Sequence, residues 1–316
     1  SDDQPPNKTA TCFELLIRHL FCCVLIKLIC VRDQIMRAAV LSKRNGSDSR
    51  TGLRQGISSM IRAWLDMAPA GIFLSLSILY FGMVAVLAAL AFRSPVRRSI
   101  HSFHGVVAPF FNAVAILFAL LAGFLANDIS ERSRQAIRTV QAEAGELRNI
   151  HTLSVATVSD MQTIRVALNA YVTSIVADEW PAMDAFKDSP NTAAAYDNLL
   201  REVSQPSLSK ASGQAAHAAI LNATVRASTL RNVRLSLATD HTNDLKWLVV
   251  LTLGLFTQIA IGLVHLERPR AFIAAMTLFS AAVVVTLGII AMQEYPFEGS
   301  FRVSPAPIAI LEKLSH

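Results

Sequence analysis

The chain has 316 residues, 53% of them hydrophobic and only 16% charged, with a mean hydropathy of +0.42 and a formal charge of +6. That apolar excess is beyond an ordinary soluble domain of this length, and it is concentrated in four long runs, while residues 130–245 have the mixed composition of a helical soluble domain. The positive charge sits in arginines beside the apolar runs with no interleaved aromatic stripe, which points to membrane headgroups and disfavours nucleic acid as a partner.

Residues 1–66 stand apart as an extension of doubtful structure. The stretch "FELLIRHLFCCVLIKLIC" (13–30) is interrupted by Arg18, His19 and Lys27 and is too short to span a bilayer. It holds three of the four cysteines, Cys22, Cys23 and Cys30; the fourth, Cys12, directly precedes it, and the spacing fits neither a zinc knuckle nor a redox pair. "SKRNGSDSRTG" (42–52) is a flexible polar stretch. Met60 and Met67 stand as natural starts ahead of the first span, and the residues before them are expected to form at most an interfacial helix.

A hydrocarbon core of about 30 Å needs about 20 apolar residues in helical form. Gly71–Phe92, Val106–Ala126, Trp247–Leu266 and Ala271–Met292 meet that length without a single Asp, Glu, Lys or Arg. The links "RSPVRRSIHSFHG" (93–105) and "ERPR" (267–270) are short, so the spans pair as two antiparallel hairpins, one over 67–129 and one over 246–293. The expected fold is all-α, a polytopic membrane protein whose hairpins flank an extramembrane helical bundle at 130–245, followed by a tail at 294–316. Arginine occurs at both ends of the spans, so the positive-inside rule gives no orientation.

Within the second span, Gly105, Ala108, Asn112, Ala115, Ala119, Ala122 and Ala126 recur at three-four spacing and share a face. The opposite face carries Phe110, Phe111, Val114, Leu117, Phe118, Leu121, Phe124 and Leu125, suited to lipid or to large-residue packing. An amide in a Gly/Ala seam has two readings. It hydrogen-bonds between packed helices, or, repeated around an oligomer axis, it is the polar ring of a narrow conduit, with Pro109 one turn before it to widen the helix. In the third span Gly254, Gln258 and Gly262 recur at intervals of four, a helix-packing seam of the same kind.

The insert shows amphipathic stripes at Val140, Ala144 and Leu147, then Val158, Met161, Leu168, Val172 and Ile175. Trp180–Pro181 is expected to break the pattern. "KDSPN" (187–191) reads as a turn, Tyr196, Leu199, Leu200 and Val203 as a further stripe, and Ser212–Ala238 as a final helix leading into the third span. After the fourth span Glu294 and Tyr295 reach the interface, Pro296 stops the helix, Phe297 and Glu298 follow, and Gly299 is free to take a positive φ in a turn; Glu298 and Arg302 are expected to dock on the insert.

No nucleophile elbow, P-loop, dinucleotide fingerprint or HExxH occurs, and the span interiors lack carboxylates. Neither catalytic residues nor a cofactor is expected. His101 and His104 have metal-ligand spacing but no third ligand nearby, so no metal site is assigned. His265 at a span end reads as a hydrogen-bonded group.

The layout resembles the bestrophin-like family. The matching pieces are "FHGVVAPFFNAVAILFALLAGFLANDI" (103–129), Glu143–Ala144 with Leu147, "YVTSIVADEWP" (171–181), "RNVRLS" (231–236) and "EYPFEGSFRVSPAPI" (294–308), over roughly residues 67–314. Members often show Asp where Glu294 stands, and the first link is less Arg-rich here. The resemblance implies kinship with bestrophins, oligomeric anion channels whose second span lines the pore, and so puts Pro109, Phe110 and Asn112 near a pore wall. The expected function is an oligomeric ion channel or pore in a bacterial cytoplasmic membrane, with the lipid bilayer, ions and further copies of the chain as partners. The alternative is a membrane-anchored helical sensor or interaction module.

Overall fold

The computed structural model describes residues 49–93, 108–156, 160–184, 189–240, 244–299 and 301–315. Val158, His101, His104, Gly105 and the start of the second span lie outside them, as do the side chains of Pro109 and Phe110. Among the described residues all regular structure is helical, and contacts divide the chain into two compact units.

The first unit holds the apolar helices. It begins with α1, Ser49–Leu65, whose buried Ile61 and Leu65 form an inward stripe. A helix thus starts inside the segment read above as an extension. It is fastened by Trp64, which packs edge-on against Trp247 with ring centroids 5.4 Å apart and donates its indole N–H to Ser75 Oγ at 2.6 Å. Pro69, pre-set for a first helical turn, opens α2 (Pro69–Phe92). The second span begins α3 (Ala108–Ala156), a single helix of 49 residues. The third and fourth are α9 (Asp244–Val264) and α10 (Pro269–Ala291), the latter again opened by proline. All four are long and apolar enough to cross a membrane.

The second unit is a helical bundle. Its core takes Ala136, Val140, Ala144, Leu147 and Ile150 from the later part of α3, and Ile164, Leu168, Tyr171 and Val172 from α4 (Gln162–Ser174). The expected break at Trp180–Pro181 does not occur. A wide π-helical turn, Ile175–Glu179, precedes it and the helix resumes as α5 (Trp180–Asp184). The reason is local: Pro181 lacks an N–H and its ring crowds the carbonyl one turn back, and a π-turn moves those carbonyls aside.

Where a turn was expected over 187–191, Ser189 caps α6 (Pro190–Val203) through its side chain, and Pro190 is already helical. A short helix that no stripe announced, α7 (Pro206–Ser212), follows, and Gly213 at φ 83° separates it from α8 (Gln214–Thr239). The tail returns to this unit. It contributes Phe297, Val303, Ile308 of α11 (Ala306–Ala309) and Leu311 to the core.

Candidate functional site: an exposed span face and a buried charge quartet

Two groupings of side chains stand out, one in each unit. In the first unit, α3 is the apolar helix least covered by its own chain: 17% of its apolar window is buried, against 28, 44 and 39% for the other three. Its inward residues include Ala122, Leu125 and Phe118, whose ring lies 6.0 Å from that of Phe279. Leu125 and Phe118 belong to the face read above as opposite to the small-residue seam, so packing in one copy uses part of the bulky face. Asn112 and Ala119 are exposed, along with Ile116, Leu120 and Phe124; Ala115 and Ala126 are half-buried. The alanine seam is therefore split, with Ala122 inward and the amide on the face that its own chain leaves bare. Pro109 and Phe110 lie in the first turn of the same helix.

The third-span seam packs inward. Gly254 lies where a Cβ would overlap the Tyr80 hydroxyl and meet Phe118 Cε2 at 3.2 Å, and at Gly262 a Cβ would come 3.1 Å from the Phe272 ring. Between them the buried Gln258 donates its amide to the Tyr80 carbonyl at 2.9 Å and to Ser280 Oγ at 2.8 Å. The Tyr80 hydroxyl in turn donates to the Leu251 carbonyl at 3.2 Å. One amide thus joins the first, third and fourth spans. In hydrocarbon such a polar group must find its partners inside the protein.

In the second unit, four charges lie together, three of them buried and Arg231 half-buried. Arg234 donates from Nε and Nη2 to the two carboxylate oxygens of Glu143, at 2.7 and 3.0 Å, and from Nη2 to Glu179 at 2.7 Å. Arg231 donates from Nε to the other Glu179 oxygen at 2.7 Å. Glu143, Glu179 and Arg234 have no exposed side-chain surface. Two carboxylates facing two guanidiniums make the cluster electroneutral, which offsets the desolvation of each charge.

Burial works against the charge on Arg234, yet the Glu143 and Glu179 carboxylates outweigh it and raise its pKa. Burial pushes the Glu143 carboxyl up while Arg234 pulls it back. Burial, with Glu143 close by, raises the Tyr171 hydroxyl, which stays protonated and has no hydrogen-bond partner among the described residues. The Trp180 ring lies 5.1 Å from the Arg234 guanidinium carbon.

The tail residues singled out in the sequence all lie in this unit. Glu294, buried, accepts from Arg132 Nη2 at 2.8 Å, and Arg132 also donates to the Asp240 carbonyl at 3.3 Å. The Pro296 carbonyl accepts from the Val303 amide at 2.7 Å, closing the turn in which Gly299 has φ 74°. Phe297 packs edge-on against Trp180, centroids 5.8 Å apart. Glu294 and Phe297 dock on the bundle, Glu298 is half-buried, and Arg302, expected to dock, is exposed.

Arg132 entered the sequence reading only among the charges near span ends, and Glu143, Glu179, Arg231 and Arg234 inside matched fragments, with no buried cluster assigned to them. A charge falling in phase with an apolar stripe, as Glu143 does between Val140 and Leu147, is the signal that marks such a residue. Among the described residues no group of three His, Cys, Asp or Glu side chains is arranged to hold a metal ion.

A family model, the Bestrophin-like domain, matches residues 78–308. Two point variants of a bacterial bestrophin homologue from Klebsiella pneumoniae have the same fold. The first is 14% identical, covers 77% of this chain and 97% of its own, and superposes with a TM-score of 0.58. The second is 15% identical over 77% and 95%, also at 0.58. A further crystal structure, of a membrane protein, is 14% identical with a TM-score of 0.57 over 78% of this chain and 97% of its own. At these identities the likeness is one of fold. No curated protein matches the sequence.

Proposed function

Because the chain belongs to the bestrophin-like family, we propose that this integral membrane protein assembles from several copies around the second span and conducts ions along the axis, in a bacterial cytoplasmic membrane. Asn112 supplies the polar ring of the conduit, with Pro109 and Phe110 near its wall, and Ala115, Ala119 and Ala126 allow the helices to approach the axis, while Ala122 packs within its own chain. The lipid bilayer and further copies of the chain are its partners.

One observation carries this reading: the least covered apolar helix is also the one that turns an amide away from its own chain. Facing acyl chains, an unpaired amide costs several kcal/mol. Facing water in a conduit, or the amide of a neighbouring copy, it costs little. The other three spans, α2, α9 and α10, turn the Tyr80 hydroxyl and carbonyl, the Gln258 amide and the Ser280 hydroxyl inward, as a chain does when lipid is the alternative.

Flux from liposomes containing the purified protein, measured for chloride, nitrate, sodium and potassium in turn, tests the proposal. Conductance should appear for at least one ion and should change in Asn112→Leu without loss of the assembly. A well-folded assembly silent toward every ion would overturn conduction; a silent dimer would return the reading to a membrane-anchored sensor.

A further inference from the structure

The π-turn Ile175–Glu179 holds one residue more than an α-helix would: the Trp180 amide reaches back to the Ile175 carbonyl. Such turns have poorer hydrogen-bond geometry than the α-helix around them and persist where tertiary contacts hold them; they recur at places where a helix changes register. Here the contacts are visible. Glu179, at the end of the turn, is drawn inward by both Arg231 and Arg234. At its start, the Ser174 carbonyl accepts from Thr192 Oγ1 at 3.1 Å.

The next residue, Trp180, touches both the charge quartet and the tail, lying against the Arg234 guanidinium on one side and Phe297 on the other. Hydrogen bonding in this register is incomplete. The Tyr171 hydroxyl and the Trp180 indole N–H are buried without a partner among the described residues, and Arg234 Nη1 donates to the sulfur of Met183 at 3.1 Å. All three are donors. A buried donor left unpaired costs about 1–3 kcal/mol, so the wide register is opposed by its own geometry and by the unpaired Tyr171 and Trp180 donors, and the Glu179 ion pairs oppose its relaxation.

We propose that the π-turn is a conformational joint, held in its wide register by the Glu179 ion pairs, whose relaxation withdraws Trp180 from Phe297 and releases the tail. Whatever draws the Glu179 carboxylate away from the two arginines therefore frees the tail while the helices of the bundle stay folded. The device does not depend on conduction, and its test is independent of that reading.

Hydrogen–deuterium exchange of the full-length protein in lipid nanodiscs reads it directly. In Glu179→Gln the amides of residues 301–311 should exchange about tenfold faster, while those of α6 change less than about threefold, the pattern of a local opening. Leu199→Ala, which empties a core position away from the charges, calibrates general destabilisation and should loosen α6 and the tail alike. Deleting the exposed Ala177 restores an unbroken α register, and in that background Glu179→Gln should no longer loosen the tail.

The joint is overturned if Glu179→Gln loosens α6 and tail together as Leu199→Ala does, leaves the tail unchanged, or acts equally in the deletion background. Should the deletion variant fail to fold, Trp180→Leu decides on the natural length. Faster exchange confined to the tail supports the coupling, and uniform loosening of bundle and tail overturns it.

Discussion

Glu143 and Arg234 stand 91 residues apart in the chain, yet their side chains make a two-pronged ion pair with no exposed surface. Truncating one partner strands the other charge in an apolar core, which costs about 3–5 kcal/mol. Glu143→Ala should lower the unfolding free energy of the detergent-solubilised protein by that amount. Glu143→Ala combined with Arg234→Met, which removes both charges, should cost clearly less than the two single changes summed. Additive losses would mean that the pair is not coupled. The same distance in sequence explains why this cluster was illegible beforehand. Glu143 alone falls in phase with an apolar stripe, the other three read as solvated charges, and only the packing of α3, the π-turn and α8 brings the four together. Gln258 was easier to read, because an amide in an uncharged run has nowhere to go but a neighbouring helix; its two acceptors, in the first and fourth spans, still came only from the structure.

Helices follow their own rules of legibility. The spans could be located because a segment that crosses hydrocarbon outside a closed barrel must be a long apolar helix, and Gly299 because a turn after Pro296 needs a residue at ease with positive φ. The π-turn and α7 could not, since hydrogen-bond register and short capped turns depend on tertiary contacts that periodicity does not carry. Glycines show the difference between a seam that is packed and one that is bare. At Gly254 an added methyl would collide with the buried Tyr80 and break its bond to the Leu251 carbonyl; Gly254→Ala should cost about 1–3 kcal/mol by overpacking, and Tyr80→Phe in the same chain should recover part of it. At Gly145, on the exposed side of α3, nothing lies within 4 Å of the added atom. There the helix preference for alanine governs, and Gly145→Ala should be neutral or stabilise by up to about 1 kcal/mol. Thermal unfolding in one detergent compares all three variants; equal losses at 254 and 145 would contradict the close approach of the first and third spans.

For the whole molecule, the question is which apolar surface meets lipid and which meets another copy. A single chain exposes large side chains on several spans, among them Leu278 of the fourth, 74% exposed, and Ile116 of the second, 65% exposed. Burial alone does not separate them, because acyl chains and a neighbouring helix are equally good apolar surroundings. Polarity does: at three- and four-residue spacing Leu278 has Ala274, Ala275, Ala281 and Ala282, whereas Ile116 has Asn112, and an amide is stable only where water or a hydrogen-bonding partner is within reach. In the proposed assembly around the second span, Ala119 of one copy is expected close to Ala119 of its neighbours, with Leu278 in the bilayer. In a chain whose own four cysteines are replaced by serine, Ala119→Cys should cross-link into a covalent dimer in membranes under mild oxidation, one thiol per chain joining one neighbour, and Leu278→Cys should remain monomeric on a denaturing gel. Efficient cross-linking at 278 with none at 119 would turn the assembly inside out, with the fourth span at the contact and the amide of the second left to hydrocarbon.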